Sequence, residues 1–186
     1  MPGTEVWKCA STAMRPLFSL AKTAQRKRIA YAEGEEERVL RAVQVVVDEN
    51  LARPTLIGRP DIIAQRIVKF GLRLEAGRDY DLVNTEHDHR YRSYWQTYHQ
   101  LTARKGVTAQ LAKIEMRRRL TLIGSMLLKT GEVDGMLCGT WGSTGLHLHY
   151  IDQVIGLRPG AKTYACMNAL ILPGRQVMLV DTHVNY

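Results

Sequence analysis

From residue 28 onward, short apolar runs alternate with longer stretches in which apolar residues recur every three or four positions. Arg28-Ile29-Ala30-Tyr31 predicts a short buried strand, and Glu33-Gly34 the turn that follows it. Glu35 to Glu49 predicts a helix with Val39, Leu40, Val43, Val46 and Val47 on one face and acidic residues in its first turn. Arg53 to Gly58 is a second strand entered through Pro54, and Asp61 to Phe70 a second helix closed by Gly71. Strand and helix in short alternating steps are the pattern of a parallel sheet covered by helices.

The pattern continues with a strand over Tyr80 to Asn84 and an aromatic-rich helix over Arg90 to Arg104. Thr108 caps a helix to Arg119, and another follows from Thr121 to Lys129. Val133 to Gly139 reads as a strand ending in a glycine-bearing loop, and Ser143 or Thr144 as the cap of a helix carrying Leu146, Tyr150, Ile151 and Val154. Thr163 to Leu172 and Gln176 to Asp181 predict two strands joined at Pro173-Gly174, an antiparallel hairpin. Residues 1–13 show no period and read as a tail or linker remnant, leaving 14–186 as one α/β unit. Asp181 to Tyr186 follow a strand with no crossover helix left, as in a fold cut part-way.

Composition narrows the class. In 186 residues, 45% hydrophobic and 24% charged, the longest apolar runs, such as Met126-Leu127-Leu128, are far too short for a bilayer span. Pro16 to Ala21 is too short and mixed for a secretory core. Cys9, Cys138 and Cys166 lie far apart, against a disulfide framework or structural zinc and in keeping with a reducing cytoplasm. The formal charge of +8 is dispersed, with tight clusters only at Arg26-Lys27-Arg28 and Arg117-Arg118-Arg119. No aromatic-interleaved strand accompanies them, so neither nucleic acid nor membrane is expected as a partner.

The loop Leu137 to Gly145 holds the best candidate chemistry. Open α/β sheets bind ligands beyond the carboxyl ends of their strands. A glycine-loosened loop opening a helix offers free N–H groups to a phosphate or carboxylate, and Ser143 and Thr144 add hydroxyls. Equally, Ser143 caps the helix and the glycines only turn the chain. The stretch fits neither G-x-x-x-x-G-K-[ST] nor G-x-G-x-x-G. His147 and His149, two apart, do not share a helix face, and His87-Asp88-His89 lacks a further ligand cluster, so no metal site is expected. Nothing in Glu33-Gly34-Glu35-Glu36-Glu37 singles out a catalytic carboxylate. Cys138 sits where a helix N-terminus can lower a thiol pKa, although a small buried apolar role suits it better.

Several separated stretches carry a resemblance. Tyr31 to Ala42 looks like the opening strand and helix of phosphate acetyl/butyryltransferases, and Leu51 to Gly58 like their second strand. Val133-Asp134-Gly135-Met136-Leu137-Cys138-Gly139 resembles the family's A-D-G-x-x-x-G, and Asp181-Thr182-His183-Val184-Asn185 its D-x-x-V-N. Met14 to Phe18, Tyr94 to Tyr98 and Ile151 to Gly156 are closer still to the carboxyl-terminal phosphotransacetylase-like domain of multidomain bacterial NADP-dependent malic enzymes.

The resemblance covers roughly the first half of that domain. It implies a three-layer, mostly parallel sheet with flanking helices, a truncated phosphotransacetylase-like fold akin to isocitrate and isopropylmalate dehydrogenases. In active members it implies attack of coenzyme A thiolate on acetyl phosphate in a cleft between two subdomains, helped by oriented phosphates. The family's serine and aspartate roles fall beyond this chain, so no catalytic residue is assigned. Two arginines expected here are replaced: Thr102 stands in the Y-x-L-R-x-x-K-G segment and His149 ends the S-T-x-x-x-x-R segment. Neither replaces a permanent fork-shaped cation at a phosphate.

For the malic enzyme subgroup the resemblance implies a sensor that binds acetyl-CoA, with Gly139, Thr140, Ser143 and Thr144 as its ligand-binding residues here. NADP and a divalent metal would belong to the malic enzyme domain, which this chain lacks, and a homo-oligomer is implied. Three readings follow: a regulatory acyl-CoA-binding module, a phosphate acyltransferase, or a fragment without function.

Overall fold

The computed structural model describes residues 14–172, 175–182 and 184. Its elements run α1 (Met14–Thr23), β1 (Arg28–Tyr31), α2 (Glu37–Asp48), β2 (Arg53–Gly58), α3 (Pro60–Lys69), β3 (Asp81–Asn84), α4 (Tyr91–Thr102), α5 (Ala109–Arg118), α6 (Leu120–Lys129), β4 (Gly135–Leu137), α7 (Thr144–Val154), β5 (Met167–Leu172) and β6 (Arg175–Val180). They fall into two compact units, Lys27–Gly156 and the remainder.

In the first unit four strands form an all-parallel sheet in the order β3-β2-β1-β4. Successive strand residues point to opposite faces, and both faces are covered. Ala30, Ile57 and Val83 join Tyr94, Tyr98, Met116, Leu122, Met126 and Val154 in a core beneath α4 to α7. Tyr31 and Leu56 join Leu40, Val43, Ile63 and Ile67 beneath α2 and α3. The expected three-layer α/β architecture is therefore present.

Local chemistry accounts for the helix ends. Glu36 N–H bonds to Glu33 C=O, making a turn that delays α2 to Glu37, two residues later than the periodicity suggests. Pro60 opens α3, where its missing N–H costs nothing. Gly71, at φ 64°, closes α3 as expected, with its own N–H on Val68 C=O and Leu72 N–H on Ile67 C=O. Thr108 and Ser143 each cap their helix through the side-chain oxygen. Gly124 lets α6 lie against β4, because a Cβ there would run into the Met136 side chain.

In the second unit, β5 and β6 pair antiparallel with Met167 opposite Val180 and Leu172 opposite Arg175. The hairpin strands are as expected, though β5 starts at Met167 and not Thr163; the Pro173-Gly174 turn lies outside the described residues. So do the tail over 1–13 and part of the D-x-x-V-N stretch. Helix α1 had no forerunner in the periodicity, since Leu17 and Leu20 are its only spaced leucines and both are exposed.

Candidate ligand site

Strand order places the site. The chain passes from β1 outward to β2 and β3, then returns to lay β4 on the other side of β1. Ligands of open α/β sheets lie beyond the strand ends at such a reversal. Two hydrogen bonds stitch the strand ends there: Ala32 N–H donates to Leu137 C=O at 3.0 Å, and Gly139 N–H to Glu33 Oε1 at 3.0 Å. Glu33 is 8% exposed and has no ion-pair partner among the described residues. Its neighbours in the acidic run are surface groups: Glu35 pairs with Arg59 at 2.7 Å, Glu36 with Arg38 and Glu37 with Arg41.

The four loop residues named from sequence sit together after β4. Gly139 and Gly142 have φ of 109° and 93°, a region that favours glycine. Ser143 Oγ accepts from Leu146 N–H at 3.3 Å, so it caps α7, while Ser143 and Thr144 both remain open to solvent. Cys138, Gly139, Gly142 and Thr144 share one open pocket of about 320 Å³ with His147, Leu148 and Ile151.

Next to it lies a second pocket of about 330 Å³, lined among others by Glu33, Arg118, Arg119, Thr121, Trp141 and His147. The residues forming it are adjacent in space and far apart in sequence. His147 holds its walls together: Nδ1 meets Thr121 Oγ1 at 2.6 Å and Nε2 meets the Trp141 carbonyl at 2.5 Å. A carbonyl only accepts, so Nε2 carries the proton and Nδ1 takes the threonine hydroxyl's. His147 is thus a structural clamp between α6 and the loop. The partners fall to β1, α6 and the loop only after folding, which is why spacing along the chain did not reveal this cluster.

Burial, with the Glu33 carboxylate next, pushes the Cys138 thiol up. A raised thiol pKa suits the small apolar role favoured for Cys138 from the sequence over that of an activated thiol. Among the described residues no group of three or more His, Cys, Asp or Glu is placed to hold a metal ion, and no helix is long and apolar enough to cross a membrane.

The two positions expected to carry arginine are now visible. Thr102 is fully buried and its hydroxyl donates to Tyr98 C=O at 2.7 Å. His149 is exposed, its ring edge-on to Tyr150 at 5.2 Å. Neither brings a cation toward the loop.

A family model described as phosphate acetyl/butaryl transferase matches residues 12–186. The chain belongs to that family. Among members of known name, the NADP-dependent malic enzyme of Haemophilus influenzae is 48% identical over 94% of this chain and 23% of its own length. That of Escherichia coli K12 is 44% identical over 92% of this chain and 22% of its own. The chain thus spans under a quarter of the length of these relatives. The solved EutD phosphotransacetylase from Staphylococcus aureus shares the fold, with a TM-score of 0.77 at 23% identity, over 92% of this chain and 52% of that one. Within the phosphate acetyl/butaryl transferase family, this chain matches a portion.

Proposed function

We propose that this chain is a regulatory module that binds an acyl-CoA, acetyl-CoA foremost, and does not itself transfer acyl groups. The carrying observation is a glycine-bearing loop at the sheet's reversal point, in a chain with Thr102 and His149 at the two positions where active transferases would need fixed cations. Thr140, Ser143 and Thr144 would face the acyl and pantetheine end, with Gly139 giving the backbone room to approach. The identity to NADP-dependent malic enzymes supports placing the module in such a protein, as an allosteric effector site in a cytoplasmic homo-oligomer. NADP and divalent metal would then serve the malic enzyme domain, and malate chemistry would be that domain's work.

Calorimetric titration of the purified chain with acetyl-CoA tests the reading. Thr144→Ala should weaken binding, and so should Ser143→Asn, which keeps the α7 cap and alters the hydroxyl. Unchanged affinity in both removes the loop from the site, and no binding by the parent chain overturns the module. The competing reading is a phosphate acyltransferase, favoured by the family match itself. Arsenate-dependent breakdown of acetyl-CoA by the chain would establish it and refute the regulatory reading.

A further inference from the structure

The β5–β6 ribbon is apolar in a way its own unit does not explain. An antiparallel ribbon resting on one layer alternates apolar with polar residues. Here β6 runs Val177-Met178-Leu179-Val180 without a break, and β5 holds Met167, Ala169, Leu170 and Leu172. Directly opposed residues share a face. Met167, Ala169, Met178 and Val180 therefore lie on one side, and Leu170, Leu172, Val177 and Leu179 on the other. Both sides are open: Val180 is 69% and Met167 62% exposed, and Leu170 and Leu179 are exposed on the opposite face.

The edges are open too. Among the described residues this sheet has only two strands, so every second N–H and C=O along the outer edge of β6 lacks a ladder partner. Lysine or proline within an edge strand, or a bulge, blocks such an edge in other proteins. Neither β5 nor β6 holds lysine or proline, and their register runs unbroken from Met167 opposite Val180 to Leu172 opposite Arg175. A two-stranded ribbon is marginal in water, whereas three or more strands with an apolar face are stable.

Strand β6 is complementary to itself. In an antiparallel pairing of two β6 strands about a two-fold axis at Met178, Val177 stands opposite Leu179 of the partner subunit, and Arg175 opposite Asp181 of the partner subunit. Apolar meets apolar and cation meets carboxylate, each twice by symmetry; only Gln176 opposite Val180 of the partner subunit mixes kinds. Strand β5 is uncharged from end to end and offers no such match. We propose that this chain forms a two-fold dimer by pairing β6 with β6 of a second copy, giving a four-stranded sheet in the order β5-β6-β6-β5. Val177, Met178 and Leu179, nearest the axis, then gain cross-strand neighbours. The interface rests on the homo-oligomer of the proposed function and not on its acyl-CoA site, which the titration above reads separately.

Size-exclusion chromatography with light scattering on the full chain should show a dimer that dissociates on dilution. Met178 is exposed, so the hairpin itself tolerates Met178→Lys, but two ammonium groups then meet on the axis and the variant should be monomeric. Val68→Lys, at a bare apolar position of α3 in the other unit, should leave the dimer intact. Arg175→Glu faces Asp181 of the partner subunit twice and should raise the dissociation constant at least fivefold. Met178→Cys reads the register. Opposed Cα atoms lie about 4.5–5.5 Å apart, within disulfide reach, so oxidised glutathione should link the two copies. With Gln176→Cys the two thiols would sit on Cα atoms about 14 Å apart, and linking should not exceed that of the parent, whose Cys9, Cys138 and Cys166 set the background. A dimer unchanged by Met178→Lys, or one that Met178→Cys does not link, refutes the β6 pairing and leaves the homo-oligomer to another surface. A monomeric parent overturns both the interface and the homo-oligomer, and leaves acyl-CoA binding to its own titration.

Discussion

Removing one oxygen from Tyr98 tests how the helical layer behind the sheet is held. Tyr98 is fully buried, with its hydroxyl 2.8 Å from Glu115 Oε2 and 2.6 Å from Gln153 Oε1. Tyr150 donates to the other oxygen of Glu115 at 2.9 Å. The carboxylate therefore links α4, α5 and α7, the last of which carries the candidate loop at its start. Burial, and then the bond to Glu115, push the Tyr98 pKa well up, so the phenol stays protonated and donating.

Tyr98→Phe keeps the ring and its packing and deletes a hydrogen bond to a charged acceptor, worth about 1.5–3 kcal/mol. Because Tyr150 still serves Glu115 and Gln153 is only half-buried, we expect about 2 kcal/mol. At this chain length that lowers Tm by about 4–8 °C. The double variant Tyr98→Phe, Tyr150→Phe strips the carboxylate of both phenols, and its loss should exceed the sum of the singles by about 1 kcal/mol. Circular dichroism melts and urea titrations of the four proteins complete the cycle. A single-variant shift under about 2 °C, or strict additivity, refutes the shared-carboxylate argument.

Three further outcomes follow from other contacts. Gly34→Ala would put a Cβ 2.8 Å from Ile57 O and 3.0 Å from Ile57 N, both backbone, so a loss of about 1–3 kcal/mol should appear in urea denaturation. Ser125 Oγ is buried in α6 without a hydrogen-bond partner among the described residues, so Ser125→Ala should stabilise the chain by about 1 kcal/mol, read as a raised Tm. The hydrogen bond from the Arg59 guanidinium, outweighing desolvation, holds the Glu35 carboxyl below its ordinary 4.5. A depressed folded value means stability present above the unfolded pKa and lost as pH falls through the folded one. Denaturant midpoints from pH 7 to pH 2 should therefore fall less steeply below pH 4.5 for Glu35→Gln than for the parent, and equal slopes would contradict this.

From β1 onward the order and kind of the elements were legible in the residues themselves, because the period of apolar positions and the chemistry of ends are local. Val43 at helical spacing, Thr108 as a helix cap, Gly71 after Phe70 and a capping hydroxyl at Ser143 each act within a few residues of their own position. The loop at Gly139 to Thr144 was legible for the same reason. What only the tertiary structure decided is that β4 returns to the far side of β1, since pairing between strands more than 100 residues apart leaves no periodic trace. That single crossover brings Glu33 to Gly139, His147 to Thr121, and Arg118 and Arg119 into the pocket they share with Glu33. The same crossover leaves Cys138 half-buried beside a carboxylate, which raises its thiol pKa. Backbone habit is a property of neighbours in sequence, but charge, burial and ligand chemistry belong to neighbours in space.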